Sequence, residues 1–514
     1  MNSPRTVTHD RRKHTAGRPL LAGIGLALGL GLLSASPVDA STYRVYTSSA
    51  ANSMVLNAGD GFCSLAEAVE HAKGLTNYNC TDFAPGSSEQ RIELLESAGK
   101  PFSTNHFKIT TLTLNRQGIR IRIYGSGGFI DSTATASAFV IPFKSIGFFE
   151  RVTLTNTAGS AGGRLVENYG SLGFDGVTFT KGDVTGGQHA TGRGGAIFNG
   201  NTQGMFPGVI STARNSVITG NKAKKGGGIY NDFGKITELA ITISGNSATG
   251  GGGGLYNHGG LVTIPAVTIS SNTAAAGGGI YNFSTDTGQD TPSTNGVVLI
   301  TTANIQGNSA RAGGGVFNRG LTELYDGSVV KGNFTTTGSS GETCSFAASN
   351  NTLPAVSGSC DGSGGGILSV HVSNASVTRF SLRNSVLSNN TAIAKGGGIF
   401  TVGVAEMPGN TINNNRAADG AAIYAVGPTD GKQQYCNFFG GNGYNSFLLH
   451  CNKTTTAGVG YGIVAGGSQG MFQCTLNSGA LISGGNSSPR CQANSFSSNF
   501  PCPVQNPNIT CPQP

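Results

Sequence analysis

The chain has 514 residues; 82 are Gly, only 11% are charged, and there is no Trp. An ordinary globular domain has roughly 7% Gly and about 25% charged residues. The glycines do not fall every third residue, which excludes collagen, and Gly and Pro together stay below the roughly 25–30% of low-complexity chains. What remains is a chain with many tight turns and, at 37% hydrophobic residues, enough apolar side chains for a core. Its length suits about three domains or one long repeat.

Residues 1–40 read as a secretory signal. Arg5, Arg11, Arg12, Lys13 and Arg18 precede an apolar run from Leu20 to Leu33, followed by compact residues at Val38 and Ala40. The run is too short for the roughly 20 residues of a membrane span, so cleavage near Ala40 is expected. No other segment approaches spanning length. Removing 1–40 takes away five Lys/Arg and two Asp/Glu, which lowers the formal charge from +8 to +5. With no Lys/Arg stripe legible along the chain, nucleic acid is not an expected partner.

Residues 41–125 supply the start of the fold. Ser64-Leu-Ala-Glu67 is a capping box, with Ser64 as N-cap and Glu67 reaching back. Leu65, Ala68, Val69 and Ala72 form one apolar face, so a short helix should cover the first strands. Cys63 and Cys80 stand ready to staple it.

Residues 126–428 hold the strongest signal, internal repetition. Ile218-Thr-Gly-Asn221 leads to Gly226-Gly-Gly-Ile-Tyr-Asn231, and the same plan returns down the chain. Its first asparagine recurs as Asn221, Asn246, Asn272, Asn308, Asn333, Asn390 and Asn415, in steps of 25, 26, 36, 25, 57 and 25 residues. The longer steps contain insertions near 283–295 and 334–363. Each unit has three short β-branched stretches bounded by turn residues and no helical pattern. Three strands per ~25 residues is the arithmetic of a parallel β-helix, each coil stacked on the last at ~4.8 Å. In that geometry the glycines allow turns with positive φ and close approach of coils. The asparagines would sit at corners, where a left-handed conformation is tolerated, and stack into an amide ladder. A calcium-binding nonapeptide needs Asp after its glycines, where this chain has Ile, Leu or Val; a phosphate loop needs a Gly-Lys-Ser/Thr that is absent.

Residues 429–514 are rich in Cys, Asn, Gly and Ser and read as a disulfide-held cap or small module, without the alternating ten-residue strands of a membrane barrel. All ten cysteines lie beyond the signal: Cys63, Cys80, Cys344, Cys360, Cys436, Cys451, Cys474, Cys491, Cys502 and Cys511. An even count in an exported chain reads as disulfides. The isolated neighbours 63–80 and 344–360 are the clearest pairs, and the six C-terminal cysteines leave 15 connectivities open. No C-x-x-C suggests a metal cluster.

Asp60-Gly-Phe-Cys63-Ser-Leu-Ala-Glu-Ala-Val69 resembles the CSLREA segment that opens bacterial exported β-helix proteins, with Ala66 where that segment has Arg. The repeats resemble those of polymorphic outer-membrane proteins, which pair F-x-x-N with G-G-A-I. Gly194-Gly-Ala-Ile197 matches the second element, whereas Ile, Val or Leu replaces the Phe of the first. Together these resemblances imply an all-β, right-handed parallel β-helix of the pectin-lyase-like superfamily, with a short N-terminal capping helix and a disulfide-rich C-terminal cap. That fold hosts lyases, hydrolases and adhesive proteins, so it does not assign the function.

Catalysis on such a scaffold needs a Lys or Arg base with calcium-binding carboxylates, or a tight group of Asp residues. The chain has no Asp-Asp pair and few carboxylates. The best column is the second strand of the unit, with Glu238, Thr263, Glu323 and Arg379. His189, Arg193, Asp286, Asp290 and Asp361 lie at turns or in the insertions, where solenoids build sites. The sequence therefore favours a non-catalytic secreted or cell-surface β-helix that binds a glycan, host or envelope surface and needs no cofactor. The alternative is a polysaccharide lyase or glycoside hydrolase, which alone would call for calcium.

Overall fold

The computed structural model describes residues 41–46, 63–75, 80 and 87–426 apart from short internal segments, plus strand segments between 434 and 493. The signal region 1–40 lies outside the described residues. The molecule is a parallel β-helix. Its strands form long parallel sheets, one of 25 strands and one of 13, with a 5-stranded sheet of very short strands along one edge.

One coil shows the path. Strand Leu239–Ser244 ends at the Gly245-Asn246 corner, and a short strand, Ser247–Ala248, follows. The glycine run then turns the chain into Leu255–His258, a second corner follows at Gly259-Gly260, and Leu261–Ser270 begins the next coil. In this coil the second and third apolar stretches merge into one strand. The buried residues of Leu261–Ser270 are Val262, Ile264, Val267 and Ile269. This is the period-2 alternation of a half-buried strand, shifted by one residue at the exposed Pro265-Ala266 pair. Each such side chain fully withdrawn from water contributes about 1.5–3 kcal/mol. The alternate register residues, Ile229, Leu255, Ile280 and Val316, stack into the same interior.

A second core lies on the other face of these strands. Phe198, Tyr230, Tyr256, Tyr281 and Phe317 form a column with ring centroids 5.8, 4.9, 4.6 and 4.9 Å apart and near-parallel planes. They are buried although they point away from the interior. The glycine run makes this possible. A Cβ on Gly251 would lie 2.7 Å from the Tyr281 ring and 2.9 Å from that of Tyr256. Within each triplet only the first glycine has positive φ, for example Gly226 at 66° and Gly277 at 60°. The second is needed for contact: a Cβ on Gly227 would sit 2.5 Å from the carbonyl oxygens of Gly253 and Ser247.

The helix Leu65–Ala72 covers the first strands, and Leu65, Ala68, Val69 and Ala72 join the main core. Ser64 accepts the Glu67 N–H, Glu67 accepts the Ser64 N–H, and Arg116 donates to the Ala72 carbonyl at the other end. A Cys63–Cys80 disulfide holds this segment, and Cys344–Cys360 closes the hairpin of Thr343–Ser345 and Ser357–Ser359. At the far end parallel pairing runs past residue 428. Ile423–Val426 pairs with Ile463–Gly466, which pairs with Cys491–Ala493. Parallel pairing thus continues into the residues expected to form the C-terminal cap. The triplet is lost, but the parallel pairing persists. Cys436 stands opposite Cys474 in register. Cys451, Cys502 and Cys511 lie outside the described residues.

Candidate functional site

The repeated asparagines form a closed internal structure. Each side chain from Asn221 to Asn415 donates from Nδ2 to the Oδ1 of the next, at 2.9 Å for Asn221–Asn246 and 3.0 Å thereafter. The same Oδ1 accepts the preceding asparagine's backbone N–H, and Nδ2 also donates to a carbonyl of the previous coil, as Asn272 does to Ile243. The row ends on Asn452, which the sequence pattern missed because no glycine triplet follows it. These asparagines are buried, with both amide donors and the acceptor engaged. They are not the left-handed corner residues expected. The residue before each one is: Gly220, Gly245, Ser271, Gly307, Gly332, Asn389 and Asn414 all have φ between 54° and 67°. The division is physical: the preceding residue, Gly in four of the seven coils, supplies the dihedral, and the buried Asn supplies the hydrogen bonds.

A second ladder runs through Asn168, Asn199, Asn231, Asn257, Asn282 and Asn318, ending on Ser369, with spacings of 2.7–3.1 Å. Its signal was the Asn two residues after the Ile, Leu or Val of each element, as in Ile229-Tyr-Asn231, Leu255-Tyr-Asn257 and Val316-Phe-Asn318.

The outer faces carry the chemistry. Next to the aromatic column, Asp232, His258, Phe283 and Arg319 follow one another in register. His258 Nδ1 lies 2.6 Å from Asp232 Oδ1, and Arg193 donates to Oδ2 at 3.0 Å. The His258 ring stacks on Phe283 and meets Phe233 edge-on. This arrangement orients an imidazole to give or accept one hydrogen bond. One coil further, Glu342 bridges Arg319 at 3.1 Å and the Tyr281 hydroxyl at 2.9 Å. The 344–360 hairpin is thereby tied to the aromatic column; its cysteines are fully buried there. Burial raises the Tyr281 pKa well above the ordinary value, and Glu342 adds to the shift.

The expected second-strand column is rearranged. The register aligns Thr237, Thr263, Leu299, Glu323, Ser381 and Glu406. Glu238 falls outside it, at a left-handed bend with φ 57°, and Arg379 stands opposite Leu321 instead. Arg379 still meets Glu406 at 2.5 Å and Glu323 at 3.9 Å, and Arg383 reaches Glu406 at 3.3 Å. Sequence counting misplaced these rows because bends and insertions add residues without adding strand length.

A pattern links these places. Glu89, Glu93, Glu150, Asp232, Glu323, Glu342 and Glu406 each lie within ion-pair distance of an arginine. Asp361 is held by Ser340. Burial raises its pKa, but hydrogen bonds from Ser340 and Ser359 and the charge of Arg311 outweigh that and leave it below the usual carboxylate range. His189, Asp286 and Asp290 lie outside the described residues. Among the described residues, no group of three His, Cys, Asp or Glu could hold a metal ion, and no helix is long and apolar enough to cross a membrane.

The sequence model of the Chlamydia polymorphic membrane protein repeat matches residues 215–232 and 240–258, two successive coils that carry both asparagine ladders and the Tyr230–Tyr256 contact. No curated protein and no solved structure matches the chain. The chain therefore carries repeats of the polymorphic-membrane-protein type on a parallel β-helix.

Proposed function

We propose that this is an exported, surface-directed β-helix that works by binding: it holds a long rigid face against a glycan-bearing host or envelope surface. The carrying observation is that seven outer carboxylates, Glu89 to Glu406, face arginines, so these brace the sheet instead of converging as acid and base. The repeat match supports a place at the cell surface, since the matched family is described as a membrane protein. In this reading residues 1–40 direct export, the CSLREA-like start marks the first coil, and the fold belongs with the pectin-lyase-like superfamily. The test is a screen of the purified chain against pectate, alginate and glycosaminoglycans, with and without calcium. Retention on a glycan without new unsaturated ends is expected; release of unsaturated uronate ends would overturn the proposal.

The lyase or hydrolase reading keeps one observation in its favour. Glu323 and Glu406 stand two strands apart, yet one Arg379 nitrogen lies 3.9 Å from the first carboxylate and 2.5 Å from the second, so their nearest oxygens are no more than 6.4 Å apart. That places the two carboxyl groups near the lower end, about 6.5 Å, of the range for an inverting pair. Under this reading Glu406→Gln abolishes the activity seen in the screen.

A further inference from the structure

The positive charge is not spread evenly. Gly182 donates its N–H to Asn221, which sets the preceding Lys181 beside the Gly220 corner of the next coil. Asp183 pairs across to Lys222, and Arg193 to Lys225. Lys181, Lys222, Lys224 and Lys225 are all exposed on this edge. Among the described residues none of the four is within ion-pair distance of a carboxylate. Asp183, the acid beside them, has its Oδ1 engaged by the Thr185 backbone N–H and hydroxyl. By contrast, Arg122, Arg193, Arg319 and Arg379 each have a carboxylate partner. Two of these lysines are 41 residues apart in sequence, so stacking creates the cluster.

From Lys222 a single row runs along the edge through Ser247, Thr273, Ser309, Phe334, Thr391 and Arg416, each in register with the last. Six strand steps span ~29 Å. Thr273 and Arg416 are exposed, Ser247 and Thr391 are half-buried, Ser309 is buried, and Phe334 is 42% exposed, one of few large apolar residues so exposed among the described residues. Hydroxyls answer sugar hydroxyls, an exposed ring offers a flat apolar face to a sugar, and the cations meet carboxylate or sulfate. The row is one residue wide, which suits a single extended chain better than a duplex or a bilayer.

We infer that this short-strand edge is a binding track for a linear acidic polysaccharide, anchored at Lys181, Lys222 and Lys224. The inference rests on the glycan-binding function proposed above. It is tested by binding of the full chain to immobilised alginate, heparin, dextran and duplex DNA, with unchanged circular dichroism required of every variant. Salt-sensitive binding to alginate or heparin is expected. The triple variant Lys181→Gln/Lys222→Gln/Lys224→Gln should weaken it about tenfold or more. Lys235→Gln, exposed on the broad sheet, should leave it unchanged, and Phe334→Ala should weaken it about threefold. Undiminished binding by the triple variant, or equal affinity for DNA, overturns the track. Binding of dextran alone overturns the track but leaves glycan binding standing, whereas retention on no glycan removes both.

Discussion

On the inner face of four successive strands Ile229, Leu255, Ile280 and Val316 stack one on the next; on the outer face of the same strands Tyr230, Tyr256, Tyr281 and Phe317 do the same. Both rows are buried, but by different means. The inner row needs only alternation and a closed coil. The outer row needs a second layer of backbone laid over it, which the glycine run and the 344–360 hairpin provide. A β-helix can thus build a second core outside its own wall, provided that a repeated segment lacks side chains where rings must lie.

The sharpest way to break this comparison is to add one methyl group where coils meet. Gly253→Ala would put a Cβ 2.5 Å from the carbonyl oxygens of Gly278 and Thr273, neither of which can swing away. A loss above about 3 kcal/mol is expected in denaturant unfolding; an unchanged midpoint would mean that the coils do not approach this closely. Next, Tyr256→Ala should cost about 3–4 kcal/mol, comparable with a large-to-small change in the inner core. A cost below about 1 kcal/mol would show that the outer column is a cover and not a core.

The smallest effect separates the cores by chemistry. Burial first, and then the nearby carboxylates Asp232 and Glu342, push the Tyr230 and Tyr256 hydroxyls well above their usual pKa. Above pH about 10 the unfolded tyrosines release protons that the folded ones keep, so stability falls as pH rises. Tyr230→Phe/Tyr256→Phe removes two of these groups and should flatten that fall. Thermal unfolding followed from pH about 9 to about 12 reads it directly. An alkaline loss as steep as in the unmodified chain would place the column in water.

Much of this architecture was legible in the sequence because each coil repeats its own turn chemistry. Ser64 and Glu67 announce a helix start, and the steps between Asn221 and Asn415 give the coil length. The corner chemistry was less legible. Glycine and asparagine both suggest a left-handed bend, and only the folded chain assigns the bend to Gly245 and the hydrogen bonds to Asn246. The outer aromatic column was hidden for another reason: Tyr230 reads as one more apolar strand residue, and nothing local says which face it takes. The lysine edge was the least legible, because Lys181 and Lys222 become neighbours only when coils of unequal length are stacked. Glu238 and Arg379 were misaligned by the same inequality.

The central claim is that the conspicuous repeated residues are architecture and that recognition belongs to the outer surface. Asn272→Ala tests it most directly, because Asn272 is fully buried and bonded to Asn246, Asn308 and Ile243. Unfolding and glycan retention should be measured on the same preparation. A stability loss on the order of 3 kcal/mol is predicted, from the partners left unpaired, with retention of the folded fraction unchanged. A variant as stable as the parent that no longer binds would contradict the account.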